Sequence, residues 1–147
     1  MQKLTQAQIA YLAGFIDGDG SIYVRAKPNR DYRFGFQIAP YIVLFQSVKD
    51  EAKFNKICSL LNCGYLRRRK DGILEYTIGR REEIIGLINL LKPYLILKSQ
   101  QADLLLKILD LKSKIKDKKD FAKLLALINR FAEINYSKKR IKHKLTP

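Results

Sequence analysis

The chain has 147 residues, and its 29 lysine and arginine residues outnumber 14 acidic residues, so the formal net charge is +15 at neutral pH. With 47% hydrophobic residues it is too apolar for a disordered chain, and its length suits one domain with a core of its own. No stretch approaches the roughly 18 apolar residues of a membrane span, residues 1–5 do not predict a signal peptide, and the two cysteines are too few for a disulfide or zinc framework. We therefore expect an intracellular protein with no membrane partner. The charge favours a polyanion, nucleic acid first, and a merely solvated basic surface is the alternative.

The first predicted helix begins after Thr5, which has capping-box spacing with Gln8. Residues 9–16 carry no charge, so this helix is predicted to be buried on more than one side. Beside a bulky stripe, Ala10 and Gly14 form a stripe of small residues that lets a second backbone approach closely. We expect a helix of another subunit there, and tight packing within one chain is the alternative.

Alternating hydrophobicity predicts two strand–strand–helix units after this helix. The predicted strands are residues 21–27, 32–46 (with a bulge or an edge at Pro40), 64–70 and 73–79. The predicted later helices are residues 48–61, 82–91, 99–111 and 118–135. The order predicts an α+β fold, αββαββα with extra C-terminal helices, in which a four-stranded antiparallel saddle sheet carries helices on one face. Residues 1–137 are predicted to form one domain and residues 138–147 a basic tail.

The other face of this sheet, which we call the open face, is predicted to carry cationic, amide and aromatic side chains. They are Tyr23, Arg25, Lys27, Arg33, Gln37, Ala39, Tyr41, Tyr65, Arg67, Arg69, Glu75 and Thr77. Arginine pairs with guanine and glutamine with adenine in the major groove, which a β-ribbon can enter. Four consecutive positive charges at residues 67–70 are costly unless an anion relieves them. The pattern favours binding to double-stranded DNA over a merely solvated sheet.

Two acidic residues, Asp17 and Asp19, end the first helix, where the helix dipole disfavours carboxylates. If the helix pairs with its copy, four carboxylates converge, and a hard divalent cation such as Mg²⁺ would stabilise them. Such a metal can activate water for attack on a phosphodiester. The alternative for Asp-Gly-Asp-Gly is a tight turn after a helix.

Residues 12–20, Leu-Ala-Gly-Phe-Ile-Asp-Gly-Asp-Gly, resemble the signature of the LAGLIDADG homing endonucleases. Because the motif occurs once in a short chain, the sequence resembles the single-motif, homodimeric branch of that family (the I-CreI-like group). Further similar segments are residues 11–15, 27–29, 64–67, 93–95 and 98–102.

The resemblance implies a site-specific DNA endonuclease of intron homing that cuts both strands of a long pseudo-palindromic site and leaves short 3′ overhangs. It implies Mg²⁺ as cofactor, for which Mn²⁺ substitutes. Asp19 would hold the metal with help from the Gly18 carbonyl, Gln46 would orient water, and Lys98 would support the transition-state charge. Asp17 would be structural. The implied dimer interface is at Ala10, Ala13 and Gly14.

The DNA contacts combine what the open face predicts with what the resemblance implies: Tyr23, Arg25, Lys27, Asn29, Tyr32, Arg33, Gln37, Arg67, Arg69, Glu75, Thr77, Lys138 and Arg140. Two features depart from the family pattern. Asp50, beside Lys49, stands where a basic residue is common, and Val43 and Phe45 are apolar near the expected centre of the site.

Two other functions are open at this point. An RNA-binding maturase of the same scaffold would take its host intron RNA as partner, and a DNA-binding module could have lost nuclease activity. In a eukaryotic host we expect a chloroplast or mitochondrial location, since the lysine bias and the lack of tryptophan are compatible with an AT-rich organelle genome.

Overall fold

Four antiparallel strands and six helices make up the part of the chain that the computed structural model describes, residues 3–135 and Leu145. In chain order they are α1 (Gln6–Asp19), β1 (Gly20–Pro28), β2 (Phe36–Ser47), α2 (Glu51–Ser59), β3 (Tyr65–Arg68), β4 (Ile73–Ile78), α3 (Arg81–Leu91), α4 (Ser99–Lys112), α5 (Lys118–Asn129) and α6 (Phe131–Ile134). Single 3₁₀ turns, Val48–Asp50 and Lys92–Tyr94, precede α2 and follow α3. The predicted α+β class and αββαββα order are confirmed.

The four strands form one sheet in the order β1-β2-β4-β3. Residues of β1 and β2 alternate between two environments, as the sequence predicts: Ile22, Val24, Ile38, Ile42 and Leu44 lie in the core with buried residues of all six helices. The intervening residues of both strands point to the other face, because successive side chains of a strand alternate. The helices therefore cover one face and leave the other open.

Helix α1 begins with the predicted capping box, in which the Thr5 side chain accepts from the Gln8 backbone and the Gln8 side chain accepts from Thr5 N–H. Its small residues do not all share one face. Ala10 and Gly14 are exposed, but Ala13 is fully buried in the core of its own chain. The assignment of Ala13 to a subunit interface is therefore wrong: consecutive helix residues lie about 100° apart around the axis, so Ala13 points to the core while its neighbour Gly14 points outward.

The hairpin between β1 and β2 has a longer loop than predicted, because β2 begins at Phe36 instead of residue 32. Asn29 Oδ1 accepts from Asp31 N–H at 3.0 Å, and Gly35 has a positive φ of 81°, so residues 29–35 form a closed turn. Beyond it, Pro40 sits opposite Val24 in an uninterrupted register, and the β2–β4 pairing starts only at Ile42. Of the two expectations for Pro40, the edge is found and the bulge is not.

The loop changes the interpretation of Arg33, which the sequence places on the open face. Its guanidinium lies over the Phe34 ring and donates to the Lys116 carbonyl at 2.9 Å. Phe34 in turn stacks on Phe121 of α5, with 4.8 Å between ring centroids. Arg33 therefore connects the loop to the helical side and does not lie on a strand of the open face, while its assignment as a DNA contact stays a prediction.

Two predicted helices are divided in the structure. The segment 48–61 begins with a 3₁₀ turn, and the Asp50 side chain makes no cap hydrogen bond to α2. The segment 118–135 breaks at Arg130 into α5 and α6. No helix among residues 3–135 is long and apolar enough to cross a membrane.

Gly64, at the entrance to β3, has a backbone conformation and surroundings that exclude a side chain. Its φ is +89°, and a Cβ there would lie 2.7 Å from the Thr77 carbonyl oxygen. We expect Gly64→Ala to lower the free energy of unfolding by at least about 2 kcal/mol, because strain and steric overlap act together. Urea denaturation measures this, with Gly72→Ala as the control. Gly72 also has a positive φ of 82°, but a Cβ there meets only a side-chain atom at 3.8 Å. Equal losses in the two variants would contradict the steric argument.

Candidate nucleic-acid interface and active site

Asp17 joins the end of α1 to the segment that precedes α4. Its carboxylate accepts from the backbone N–H of Ile96 at 2.8 Å and of Lys98 at 3.0 Å. In return, Lys98 Nζ donates to the Asp17 carbonyl at 2.6 Å. These three bonds fix the Lys98 amine beside the last turn of the helix. The structural role that the resemblance implies for Asp17 agrees with this geometry.

Asp19, two residues further on, has a different environment. Its side chain is exposed, as is Gly18, and no hydrogen bond or ion pair to its carboxylate is found within residues 3–135. The chain then turns sharply into β1, because Gly20 N–H donates back to the Ile16 carbonyl. A Cβ on Gly20 would lie 2.8 Å from the Ile16 backbone, so this exit requires glycine. The result is a carboxylate that projects from the helix end and is available to a ligand.

Gln46 lies at the same end of the sheet. Gly20 pairs with Leu44, so Asp19 lies one residue and Gln46 two residues beyond the last β1–β2 pair. The Gln46 side-chain oxygen accepts from Ser47 N–H at 3.0 Å, and its amide nitrogen is left to donate. Helix end, strand end and the Lys98 segment thus converge on one corner of the domain.

One copy of the chain supplies few metal ligands at this corner. Within residues 3–135, no three histidine, cysteine, aspartate or glutamate side chains gather closely enough to hold a metal ion. The available donors are the Asp19 carboxylate and backbone carbonyls of the last helical turn. These carbonyls point out of the helix at its C-terminal end. These are hard oxygen donors, the type that Mg²⁺ and Ca²⁺ prefer.

The Asp17 bonds lead to a stability prediction. We expect Asp17→Ala to lower the free energy of unfolding by about 1–3 kcal/mol, because two backbone N–H groups lose a charged acceptor. The same change should lower activity, since Lys98 is no longer held in place. Chemical denaturation measures the first effect, and Asp19→Ala is the matched control because its carboxylate makes no such bond. A stability loss that is equal in both variants would contradict the assigned roles.

The open face carries most of the predicted base-reading residues. Tyr23, Arg25 and Lys27 of β1 alternate with buried Ile22, Val24 and Ala26, and Gln37 of β2 pairs with Lys27. Across the sheet, Phe45, Glu75 and Arg67 form one row, and Val43 and Thr77 lie side by side in the next. Thr77 is only 8% exposed and Val43 only 3%, so the middle of the face offers less contact area than its flanks.

The arginines of β3 are paired with acids inside the chain. Glu75 contacts both Arg67 and Arg69, at 2.9 and 3.3 Å, and Arg69 also contacts Asp71 at 2.6 Å. Arg68 points to the other side of the strand, where it pairs with Glu51 of α2. Three of the four consecutive charges, the arginines, are therefore paired inside the chain, and the clustering alone is weaker support for a bound anion than the sequence indicates. Arg67 is still 64% exposed at the side chain and accessible to DNA.

The remaining predicted contacts are distributed between the hairpin loop and the tail. Asn29 uses its side-chain oxygen to close the loop, and Tyr32 is 43% exposed at the loop tip. Lys138 and Arg140 lie outside the described residues.

An exposed apolar surface adjoins the C-terminal end of α1. The sequence analysis identified the small residues of α1 in this surface but not the aliphatic residues that follow Pro93. Ile96 and Leu97 are 81% and 72% exposed, and the Asp17 bonds place them beside α1. Tyr11, 56% exposed, lies on the same outer face of α1 as Ala10 and Gly14. The signal in the sequence was the run of three aliphatic residues at 95–97. Only Leu95 of this run is buried in the core, so the other two side chains are left at the surface.

The two cysteines line a different feature, an open cleft of about 490 Å³ between α2 and β4. Both are free thiols. Burial raises the pKa of Cys58 to about 12 and that of Cys63 to about 11, so both stay protonated at neutral pH. Because the thiolate is the nucleophile, this cleft is not a thiol-based active site.

Comparisons with known proteins agree on one family. The model of the LAGLIDADG endonuclease family matches residues 12–109. The DNA endonuclease I-CreI of Chlamydomonas reinhardtii is 32% identical over 139 residues, which is 94% of this chain and 85% of that protein. The DNA endonuclease I-CvuI of Chlorella vulgaris is 31% identical over 135 residues, 92% of this chain and 84% of that protein. A crystal structure of I-CvuI in complex with the I-CreI target, obtained in the presence of Mg and with the DNA not cleaved, superposes with a TM-score of 0.85 at 31% identity, covering 92% of this chain and 87% of the other.

Proposed function

The chain belongs to the LAGLIDADG endonuclease family, and from this membership we propose that it is a site-specific DNA endonuclease that acts as a homodimer in intron homing. Its substrate is a long pseudo-palindromic duplex, and hydrolysis of both strands leaves short 3′ overhangs. The curated relatives are DNA endonucleases by name, which favours DNA cleavage over the RNA-binding alternative.

The observation that carries this proposal is the corner formed by Asp19, Gln46 and Lys98. An exposed carboxylate, which has no partner among residues 3–135, projects from the helix end beside which Asp17 fixes the Lys98 amine, at the end of a cationic sheet. In this assignment Asp19 is a metal ligand, the Gln46 amide orients water, and the Lys98 ammonium stabilises charge on the scissile phosphate. Each role uses a donor or acceptor that the fold leaves available.

The donor set at this corner fits a divalent cation. I-CvuI has been crystallised with its target in the presence of Ca and with the I-CreI target in the presence of Mg. We propose Mg²⁺ as the working ion, held by Asp19 with help from the Gly18 carbonyl, and Mn²⁺ as a substitute. The chemistry that such an ion supplies when bound is activation of water and stabilisation of the leaving oxygen.

Dimerisation completes this donor set, because one copy offers a single exposed carboxylate. The outer face of α1 carries Ala10, Gly14 and Gly18, and Ile96 and Leu97 adjoin its end. Small side chains allow two helices to approach closely. Burial of the flanking apolar surface makes the free energy of association more favourable. A twofold axis through this face brings two Asp19 residues together over the duplex.

A cleavage selection on a randomised duplex library with Mg²⁺ tests the proposal. We expect enrichment of one long sequence whose two halves are related by an approximate dyad, with cuts on both strands near its centre. Parallel reactions with Mn²⁺ and with chelator check the cofactor. Absence of any enriched cleaved sequence with either ion would overturn the proposed function.

A further inference from the structure

Four side chains on the β1–β2 part of the open face form a row of contacts with two rings in the middle and a cation at each end, which we call the tyrosine–cation ladder (Tyr23, Arg25, Lys27 and Tyr41). Tyr23 and Tyr41 are directly opposite in the register, and their ring centroids are 5.3 Å apart. The Arg25 guanidinium lies 5.4 Å from the centre of the Tyr23 ring, and the Lys27 ammonium 5.0 Å from that of Tyr41. Cation–π attraction holds Arg25 against Tyr23, packing holds the two rings together, and a hydrogen bond holds Lys27 against Tyr41, all without DNA.

Lys27 and Tyr41 reach each other across a gap in this face. Lys27 pairs with Gln37 and Tyr41 with Tyr23, so one row of the sheet, Arg25 opposite Ala39, separates them. Because Ala39 is small, both side chains lean over it, and Ala39 is only 8% exposed. They meet in a hydrogen bond from Lys27 Nζ to the Tyr41 hydroxyl oxygen.

This bond determines which chemistry the pair offers to a ligand. The Lys27 ammonium has three donors and no acceptor, and one of its protons is used. The Tyr41 oxygen accepts that proton, so its own O–H remains available to donate to a ligand. The pair therefore presents two hydrogen-bond donors side by side on the open face.

Among the major-groove edges of the four bases, guanine alone offers two neighbouring acceptors, N7 and O6. Adenine places an amino donor beside N7, thymine offers O4 beside a methyl group, and cytosine offers an amino donor. We propose that Lys27 and Tyr41 act as one unit that recognises a guanine at one position in each half of the target. This inference rests on the proposed function and adds Tyr41 as a specificity-determining residue.

A variant that removes one donor and keeps the ring tests this inference. Tyr41→Phe retains the packing against Tyr23 and Lys27 but lacks the hydroxyl. We expect a selection for binding from a randomised duplex library to give, for the unmodified protein, a guanine at one position per half-site. In Tyr41→Phe the preference at that position should fall by at least about fivefold, the low end for a two-donor base contact. Tyr94→Phe is the control, since it also removes a tyrosine hydroxyl, one that accepts from the Gln6 side chain and belongs to none of the proposed DNA contacts, and it should keep the guanine preference.

Modified bases then identify the atoms. Replacing that guanine by 7-deazaguanine removes N7, and should weaken binding of the unmodified protein by about fivefold or more but that of Tyr41→Phe much less. Inosine keeps N7 and O6 and lacks only the minor-groove amino group, so it should leave binding by both proteins unchanged.

The possible outcomes separate this inference from the proposed function. If the selection enriches no sequence, the proposed function and the present inference both fail. If it enriches a target but Tyr41→Phe keeps every base preference, only the inference fails. A uniform loss of affinity for all sequences with a weaker salt dependence would show that the pair contacts phosphate, and would also overturn base recognition.

Discussion

Replacing Asp19 by asparagine is expected to reduce DNA cleavage by about a thousandfold or more, because several kcal/mol of metal-dependent stabilisation are lost with the carboxylate. Target affinity should stay within about threefold, since asparagine has the same shape and the side chain is exposed. Stability should rise by about 0.3–1 kcal/mol, because removing a negative charge from a helix C-terminus relieves its unfavourable interaction with the dipole.

Three measurements on Asp19→Asn separate catalysis from folding. Nicking of a supercoiled plasmid that carries the selected target reports cleavage, fluorescence anisotropy with a labelled duplex reports binding, and urea denaturation reports stability. Asp17→Ala is the informative contrast, because it should lose stability through the bonds to Ile96 and Lys98. Undiminished cutting by Asp19→Asn would reject Asp19 as a metal ligand.

A larger side chain at position 14 should leave the folding of a single chain intact and prevent the assembly of two chains. A Cβ at Gly14 meets nothing within 4 Å, so the fold accepts a side chain there. Gly14→Leu should therefore fold at least as well as the parent, since glycine is about 1 kcal/mol less favourable than alanine within a helix. The added side chain prevents close approach of a second α1, so we expect a monomer and at least about a hundredfold less double-strand cleavage, equivalent to roughly 3 kcal/mol.

Sedimentation equilibrium with and without target duplex measures the assembly of Gly14→Leu. Ala122→Leu is the control, because it places the same side chain on an exposed position of α5, away from the proposed interface. It should leave both assembly and cleavage unchanged. A Gly14→Leu protein that dimerises and cuts normally would mean that the subunits meet elsewhere.

The sheet could be predicted from sequence because β1 and the core-facing residues of β2 recur with a period of two, although Val43 is buried on the open face as well. Ile22, Val24 and Ala26 alternate with polar or aromatic residues, and burial of one set fixes the side to which the other set points. The register follows from the same condition.

Contacts between distant segments could not be predicted in this way. The loop at 29–35 closes through Gly35, and Arg33 turns towards a backbone carbonyl at Lys116, a contact that depends on where α5 docks. In α1 the uncharged run gives no polar stripe to mark the outside. The sequence therefore could not distinguish Ala13, which faces the core, from Gly14, which does not.

The corner proposed to be catalytic was more predictable than the rest of the site. The motif specifies Asp19 at the helix end, and the structure places Lys98 and Gln46 at the same corner. By contrast, the contact of Lys27 with Tyr41 depends on two side chains that lean over a small residue, and neither periodicity nor spacing encodes that direction.

The internal pairing of Glu75 with Arg67 and Arg69 has a kinetic consequence for a protein that must locate one sequence in a genome. Phosphates of arbitrary DNA compete with a carboxylate already in place, so encounters away from the target gain little from these arginines and end quickly. A matching base edge that forms hydrogen bonds with Arg67, Arg69 and Glu75 at once lengthens the residence time of the protein on the DNA. A negative charge amid the cationic surface thus shortens the search by limiting time lost on wrong sequences.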